Sequence, residues 1–287
     1  MKEQALKERL HVISKEKDIR FNECWKKLLL ERFLFRLSQS PLRKKIVFKG
    51  GSLLAYILKI GRETIDLDFL ITKIKAKENE IQKSIEKIIS EKSDDGFIFS
   101  LDKIKMLNQP HMLYPGYRII LKVTFGNMKD QIQIDLGVGD KVEPENKDFA
   151  LFQYRGKPIF ENTISLLVYS PETIFAEKLE TAISKGEANS RMKDYHDLLL
   201  LLREKKLINP KKLGITIFNT FQKRNTTASL IKFKKEELKT LQNLWEKHLK
   251  NLSDMAQELN LPKNILIVIE EINNFILPVI SDLNILT

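Results

Sequence analysis

One cysteine, Cys24, in 287 residues leaves no partner for an intramolecular disulfide. A disulfide-built scaffold is excluded, and a reducing, cytoplasmic setting is expected. Cys24 sits in an apolar helical pattern with Trp25, Leu28 and Leu29. No His or Asn constellation accompanies it, so it reads as a buried core thiol and not as a nucleophile. Glycine and proline are sparse, at 11 and 9 residues, against 43% apolar and 30% charged residues, which excludes a disordered or fibrous chain. Long apolar runs are missing as well. The N-terminus, MKEQALKERLHV, has no signal core, and the apolar stretch Ile265 to Ile280 is split by Glu270 and Glu271. No membrane span is expected. Negative charge is in deficit: 49 Lys and Arg face 38 Asp and Glu, giving a formal net charge of +11 and a pI near 9.4. That balance favours a polyanionic partner, nucleic acid ahead of an anionic membrane surface, with a solvated lysine coat as the ordinary alternative.

The patterning divides the chain near residues 168–170. Before it, helices are expected over 2–38 with a break near Asp18–Asn22, then a strand at Ile46–Lys49 and a short helix at Ser52–Ile60 ended by Gly61. A strand at Ile65–Ile71 and a charged amphipathic helix over 76–92 follow. Strands are then expected at Gly96–Met106, Tyr117–Phe125 and Gln131–Val138, the last two joined as a hairpin, with shorter ones at Phe149–Tyr154 and Ile164–Val168. Beyond Ser170-Pro171, a strong helix start, only helices are expected: to about Lys185, then over 190–205, 210–224, 235–250 and 263–280. The reading is an α+β domain over 1–169 followed by a helical domain over 170–287.

Val47 to Phe69 reads VFKGGSLLAYILKIGRETIDLDF. Gly50, Gly51 and Ser52 form a turn from strand into helix, which offers backbone N–H groups, a hydroxyl and a helix N-terminus to phosphate. Asp66 and Asp68 lie two apart on one strand, so both project from the same face and can grip metal together. Each motif alone is more often an ordinary turn or a surface acid; their order and spacing give the pair its weight. Asp135, between Ile134 and Leu136, is the candidate third carboxylate, against an ordinary strand-end acid. Three carboxylates can hold two Mg²⁺ ions, one activating an attacking hydroxyl and one neutralising the departing pyrophosphate of an NTP. Lys122 on the preceding strand is a minor candidate, since a lysine there is more often a solvated outer-face residue.

The turn, its spacing from Asp66-Leu67-Asp68 and their flanks resemble the nucleotidyltransferase superfamily of DNA polymerase β type. The wording FKGGS…GRETIDLDF is similar to one branch, the AbiEii/AbiGii-type toxins of bacterial toxin–antitoxin and phage-defence systems. Two further stretches match that branch: PETIFAEKLETAI, around Ala176-Glu177-Lys178-Leu179, and RMKDYHDLLLLL, around Arg191-Met192-Lys193-Asp194. The resemblance implies a nucleotidyltransferase-type mixed β-sheet with flanking helices and a C-terminal helical bundle. It implies that Lys178 contacts the triphosphate, that Asp194 is a catalytic-site aspartate, and that Arg62, Thr64, Arg191 and Lys193 help bind nucleotide. Tyr195-His196 departs from the branch's usual order by one position, which puts a stacking tyrosine in doubt and leaves His196 as a stand-in or a structural residue. An Arg191–Asp194 surface ion pair is the plain alternative for those two residues.

Residues 203–250 hold thirteen Lys or Arg against four Glu, an excess of nine positive charges. Such a stretch lines a groove for an RNA backbone or forms a solvated face. Phe218, Phe221, Phe233 and Trp245 within it have a spacing that suits core packing better than base stacking. The family implies a magnesium-dependent toxin that transfers a nucleotidyl group from an NTP to RNA, at the tRNA 3′ end, neutralised by a cognate antitoxin. The alternatives are nucleotidylation of a protein, kinase-like phosphate transfer, and an NTP- or RNA-binding module without turnover. A membrane-surface protein is the weakest of them.

Overall fold

The structure is a computed structural model that describes residues 1–58, 66–72, 77–107, 116–139, 142–204 and 206–285. The chain divides into two compact units, Met1–Tyr169 and Ser170–Thr287.

In the first unit, α1 (Glu3–Glu16) and α2 (Phe21–Gln39) are separated by a break in which Asp18 takes a φ of 49°. Then follow β1 (Ile46–Lys49), α3 (Gly50–Leu58), β2 (Asp66–Ile71), α4 (Glu78–Ile89), β3 (Ile98–Leu107), β4 (Gly116–Phe125) and β5 (Met128–Val138). The unit closes with β6 (Glu145–Ala150), a small hairpin of β7 (Gln153–Tyr154) and β8 (Lys157–Pro158), and β9 (Thr163–Val168). Seven strands form one mixed sheet in the order β3-β4-β5-β2-β1-β9-β6. β2 runs parallel to β5, and β1 to β9; the other neighbours are antiparallel.

Alternation along β4 and β5 sends Ile119, Leu121, Val123, Ile132, Ile134 and Leu136 into the core. The polar positions between them are left on the opposite face. α2 supplies much of that core. Twelve of its residues are buried, as in an enclosed helix, and they include Glu31, Arg32 and Arg36. Cys24 is one of them; burial pushes its thiol up to about 11, which leaves it unreactive at neutral pH.

Two departures from the sequence reading have local causes. The charged run Glu145 to Phe149 pairs with β9 as the outermost strand, where one side needs no partner and charged side chains are tolerated. The expected strand over 149–154 is therefore divided between β6 and the small hairpin. The helix after Lys49 begins at Gly50 instead of Ser52, with no loop between; its expected end at Ile60–Gly61 lies outside the described residues.

The second unit contains α5 (Pro171–Lys185), α6 (Met192–Arg203), α7 (Pro210–Lys223), α8 (Lys235–Leu252), the single turn α9 (Met255–Glu258) and α10 (Ile265–Ile285). Ser170 caps α5 by accepting the Thr173 N–H at 3.2 Å, ahead of Pro171 in the first turn. α10 packs on α6, α7 and α8, and Phe221 and Trp245 are buried in this core while Phe218 is exposed. Among the described residues no helix is long and apolar enough to cross a membrane.

α2 also carries charge into the first unit's core. Arg36 forms a two-pronged pair with Asp95, both bonds 2.8 Å, and Asp95 also accepts the Phe97 N–H. Beside it, buried Arg32 pairs with Glu31 and Glu161. Burial alone would raise the Asp95 carboxyl, but the Arg36 bonds, the Phe97 N–H and the Arg36 charge outweigh it and hold it below its ordinary value. Its contribution to stability is therefore complete above pH about 4 and is lost as the pH falls through the lower folded value. Asp95→Asn, which strands a buried guanidinium, is expected to cost about 3–5 kcal/mol at pH 7. Urea unfolding across pH should show that deficit narrowing as the pH falls below the ordinary carboxyl range and the wild-type carboxylate takes up its proton. A deficit independent of pH would mean that the pair's charge is not what stabilises the unit.

Candidate active site

β1 delivers the chain directly into α3, and Gly50 at the junction has a φ of 76°, in the left-handed region that glycine adopts without strain. Space makes the same demand. A Cβ built on Gly50 would lie 2.6 Å from both Cβ and Cγ of Asp68, so the Asp68 carboxylate rests directly against the backbone of the turn. Two residues on, the buried Ser52 hydroxyl donates to the Asp66 carbonyl oxygen at 2.5 Å. The glycine turn and the first residues of β2 are thus fastened together, and the Ser52 proton is used inside the protein.

Register builds the rest of the site in the first unit. Lys49 on β1 lies opposite Asp68 on β2, Asp68 lies opposite Asp135 on β5, and Asp135 lies opposite Arg118 on β4. Directly opposed residues project to the same face, so four adjacent strands carry the order cation, acid, acid, cation. Asp66 stands two residues along β2, opposite Gln133. Arg118 grips Asp135 with Nε to Oδ1 at 2.9 Å and Nη2 to Oδ2 at 2.7 Å. The Gln133 amide adds a long bond of 3.4 Å to Oδ1. The bonds to Asp135, opposed by desolvation and joined by the charges of Asp135, Asp66 and Asp68, raise the Arg118 pKa above its ordinary value. Lys49 places its ammonium 3.4 Å from the Tyr169 hydroxyl and over that ring.

Carboxylate oxygens are the donors that a hard divalent cation takes, and Asp66 and Asp68, side by side on one face, fit such an ion. Both Asp135 oxygens are engaged by Arg118, so in a third-ligand role Asp135 would share them between that guanidinium and the cation or exchange one for the other. Among the described residues no group of three His, Cys, Asp or Glu side chains is arranged to hold a metal. Arg62 and Thr64 lie outside the described residues. Lys122 is four residues along β4 from Arg118, largely exposed, and pairs with Asp102. Arg118 and Lys49 were missed by motif reading. The signal for Arg118 was in the hairpin: it stands seven residues before Phe125, and Asp135 stands seven after Met128, on either side of a two-residue turn.

The second unit holds its own charge cluster. Lys178 on α5 donates to Asp194 at 2.9 Å and pairs with Asp197 at 2.7 Å, both carried by α6 and both buried. Burial would lower the Lys178 ammonium, but the charges and bonds of Asp197 and Asp194 outweigh it and raise its pKa. Arg191, mostly exposed, reaches the other Asp194 oxygen at 3.5 Å, which is the ion pair allowed for above. Lys193 points to solvent. Asp197, three residues from Asp194, joins the cluster without having been a site candidate. Tyr195 and His196 are both buried, and Nδ1 of His196 lies 3.2 Å from Nε2 of His248. His196 is a core residue, in line with the structural alternative.

The basic stretch over 203–250 resolves into two kinds of cation. Arg203, Lys212 and Arg224 pair with Glu271, Glu172 and Glu180 and help fasten the helices. Lys235, Lys239 and Lys250 of α8, with Lys263, rim an open groove of about 900 Å³ whose lining includes Leu238 and Leu249.

Lys178→Met would leave two buried carboxylates without the cation between them, at an expected cost of about 3–5 kcal/mol. Adding Asp197→Asn removes one of those charges and should recover part of the loss in urea unfolding. A larger loss in the double variant would show that volume, not charge, sets the cost.

The family described as "Nucleotidyl transferase AbiEii toxin, Type IV TA system" matches residues 32–263. No curated protein matches the chain. Among solved structures, JHP933 from Helicobacter pylori is 15% identical, with 89% of this chain and 90% of that one covered and a TM-score of 0.44. An antigenic nucleotidyltransferase-like protein from Paracoccidioides brasiliensis is 16% identical, with 69% and 89% covered and a TM-score of 0.36. The family match spans most of the chain and takes in the β1–α3 turn, the three carboxylates, Lys178 and Asp194: the chain belongs to the AbiEii nucleotidyltransferase toxin family of type IV toxin–antitoxin systems.

Proposed function

We propose that the chain transfers a nucleotidyl group from an NTP to a hydroxyl of RNA, with the tRNA 3′ end as acceptor. The observation that carries this reading is the placement of Asp68 against the Gly50 backbone and beside Asp135, with Asp66 on the same face. A phosphate-binding turn and an acidic cation site are thereby fused in one small volume. Backbone N–H groups of Gly51 and Ser52 at the start of α3 receive the triphosphate, where the helix dipole favours negative charge.

Asp66 and Asp68 would hold magnesium in this reading, with Asp135 as the third carboxylate, and the ion would supply activation of the attacking hydroxyl and charge neutralisation at the leaving group. The acceptor oxygen bonds to the α-phosphorus as the bond to the β-phosphate oxygen breaks; pyrophosphate departs and the hydroxyl proton passes to water. Arg118 and Lys49 are cations placed to meet phosphate charge. Arg62 and Thr64 keep the nucleotide-binding role that the family implies.

In the second unit, Asp194 and Asp197 keep Lys178 charged and fixed in direction, and Lys178, Arg191 and Lys193 keep the nucleotide-binding role that the family implies. A compact ammonium suits that task. The excess of 11 positive charges supports RNA over a protein acceptor. Family membership implies an antitoxin; in this reading it is the cognate product that relieves growth inhibition in the cytoplasm, within a phage-defence system.

The test is transfer from each α-³²P-labelled NTP to bacterial tRNA with Mg²⁺, alongside Asp66→Ala/Asp68→Ala. Label is expected on tRNA with the intact chain only. The loss in the variant should exceed the roughly 10–100-fold that outer partners of a metal site typically cost. Label on a protein band, or transfer only from the γ position, would overturn the RNA nucleotidylation reading. NTP binding with no transfer would reduce the chain to a binding module.

A further inference from the structure

The carboxylate row does not stop at Arg118. Lys105 on the outermost strand β3 lies opposite Arg118, so one line across five strands reads Lys105, Arg118, Asp135, Asp68, Lys49. The next line carries Lys103 opposite Ile120, Gln133 and Asp66. Beyond it come Ser100, Lys122 and Gln131, and then Ile98, Thr124 and Lys129. All these residues share the face that bears the acids, because directly opposed residues project together. The reverse face is the apolar core of the unit.

Lys103, Lys105, Lys122 and Lys129 are exposed, and the Arg118 side chain is 42% exposed. Two acids temper this face on these strands: Asp135, held by Arg118, and Asp102, held by Lys122. Asp130 alternates to the other side and pairs with Lys26 from α2. Lysines on an outermost strand also discourage edge-to-edge pairing. That role does not account for Arg118, Lys122 and Lys129, which stand on the interior strands β4 and β5. At about 4.8 Å between strands, Lys105 lies roughly 10 Å from the Asp135 position and roughly 15 Å from that of Asp68.

We propose that this face of β3, β4 and β5 is the track along which the backbone of a single-stranded RNA acceptor reaches the carboxylates. The proposal deepens the nucleotidyl-transfer reading and rests on it for the chemistry, though not for the binding. Among the described residues the face carries no aromatic ring. It offers cations with Ser100, Thr124, Gln131 and Gln133 as hydrogen-bonding groups. Contact is therefore with phosphate and sugar, with weak sequence preference and strong salt dependence, because stacking on rings is what usually holds bases. The lysine-rimmed groove of α8 differs, since leucines line it, and it is not the RNA track.

The test is anisotropy of a fluorescein-labelled single-stranded RNA oligonucleotide with the full chain, across salt concentrations. Lys103→Glu/Lys105→Glu should weaken binding by about 10-fold or more and flatten the plot of log Kd against log salt by about 1.4, two lost phosphate contacts. Lys103→Gln/Lys105→Gln, a milder pair, should move both readouts in the same direction by less. Binding of a fluorescent NTP should be unchanged in both. Lys239→Glu/Lys250→Glu on α8 should leave RNA affinity within about twofold, as for residues outside the contact. The proposal is overturned if the α8 pair abolishes binding while the β3 pairs do not. It is also overturned if wild type fails to bind RNA, or if polyaspartate competes as well as RNA does, which would mark an acidic protein partner. RNA held by this face without any label transfer would sink the nucleotidyl-transfer reading and leave the track standing.

Discussion

Two carboxylates directly opposite one another on neighbouring strands are a constraint that the first unit is built to satisfy. Asp68 and Asp135 occupy that arrangement on β2 and β5, and like charges so placed oppose folding. The sheet offsets the repulsion by its own order. β1 brings Lys49 to the outer side of Asp68, and β4 brings Arg118 to the outer side of Asp135, where two short bonds hold the carboxylate. The parallel pairing of β2 with β5 places the acids together, and it depends on the long connection through α4, β3 and β4. A one-residue slip of β2 against β5 would turn the β2 side chains to the other face, putting Asp68 into the core and parting it from Asp135.

The second unit solves the inverse problem. There a single ammonium, Lys178, is buried between Asp194 and Asp197, with Arg191 reaching one of them from the surface. In the first unit acids are flanked by cations near solvent; in the second a cation is flanked by acids inside. Both arrangements hold charge in place at some expense of stability. In the first, Gly50 adds a steric lock, since only a residue without a side chain leaves room for Asp68 against the turn. Groups fixed beforehand need not be ordered when a ligand arrives, so such preorganisation suits the proposed nucleotide chemistry.

Local pattern was enough to read most elements from the sequence. The strand–turn–helix around Gly50, the same-face placement of Asp66 and Asp68, and the alternation that exposes Asp135 all follow from residues a few positions apart. What pattern did not reveal depends on which strands become neighbours. Arg118 looked like any basic residue on an amphipathic strand until the hairpin register set it opposite Asp135, and Lys122, the more conspicuous cation, fell four residues too far along. Asp197 was visible as an acid one helical turn from Asp194, yet its pairing with Lys178 depends on how α5 and α6 pack. The charged strand β6 was hidden because pairing at a sheet's edge tolerates a sequence that reads as loop. His196 followed the structural alternative that its motif left open: the helix buries it against His248.

The central claim is that Asp66 and Asp68 form a cation site fused to the Gly50–Ser52 turn. A crystal grown with Mn²⁺ and a non-hydrolysable NTP analogue tests it most directly, by the anomalous signal of the metal. The account predicts a peak against the Asp66 and Asp68 carboxylates, with the triphosphate on the backbone of Gly51 and Ser52. A triphosphate seated elsewhere, or an ordered analogue with no metal at those two aspartates, would contradict it.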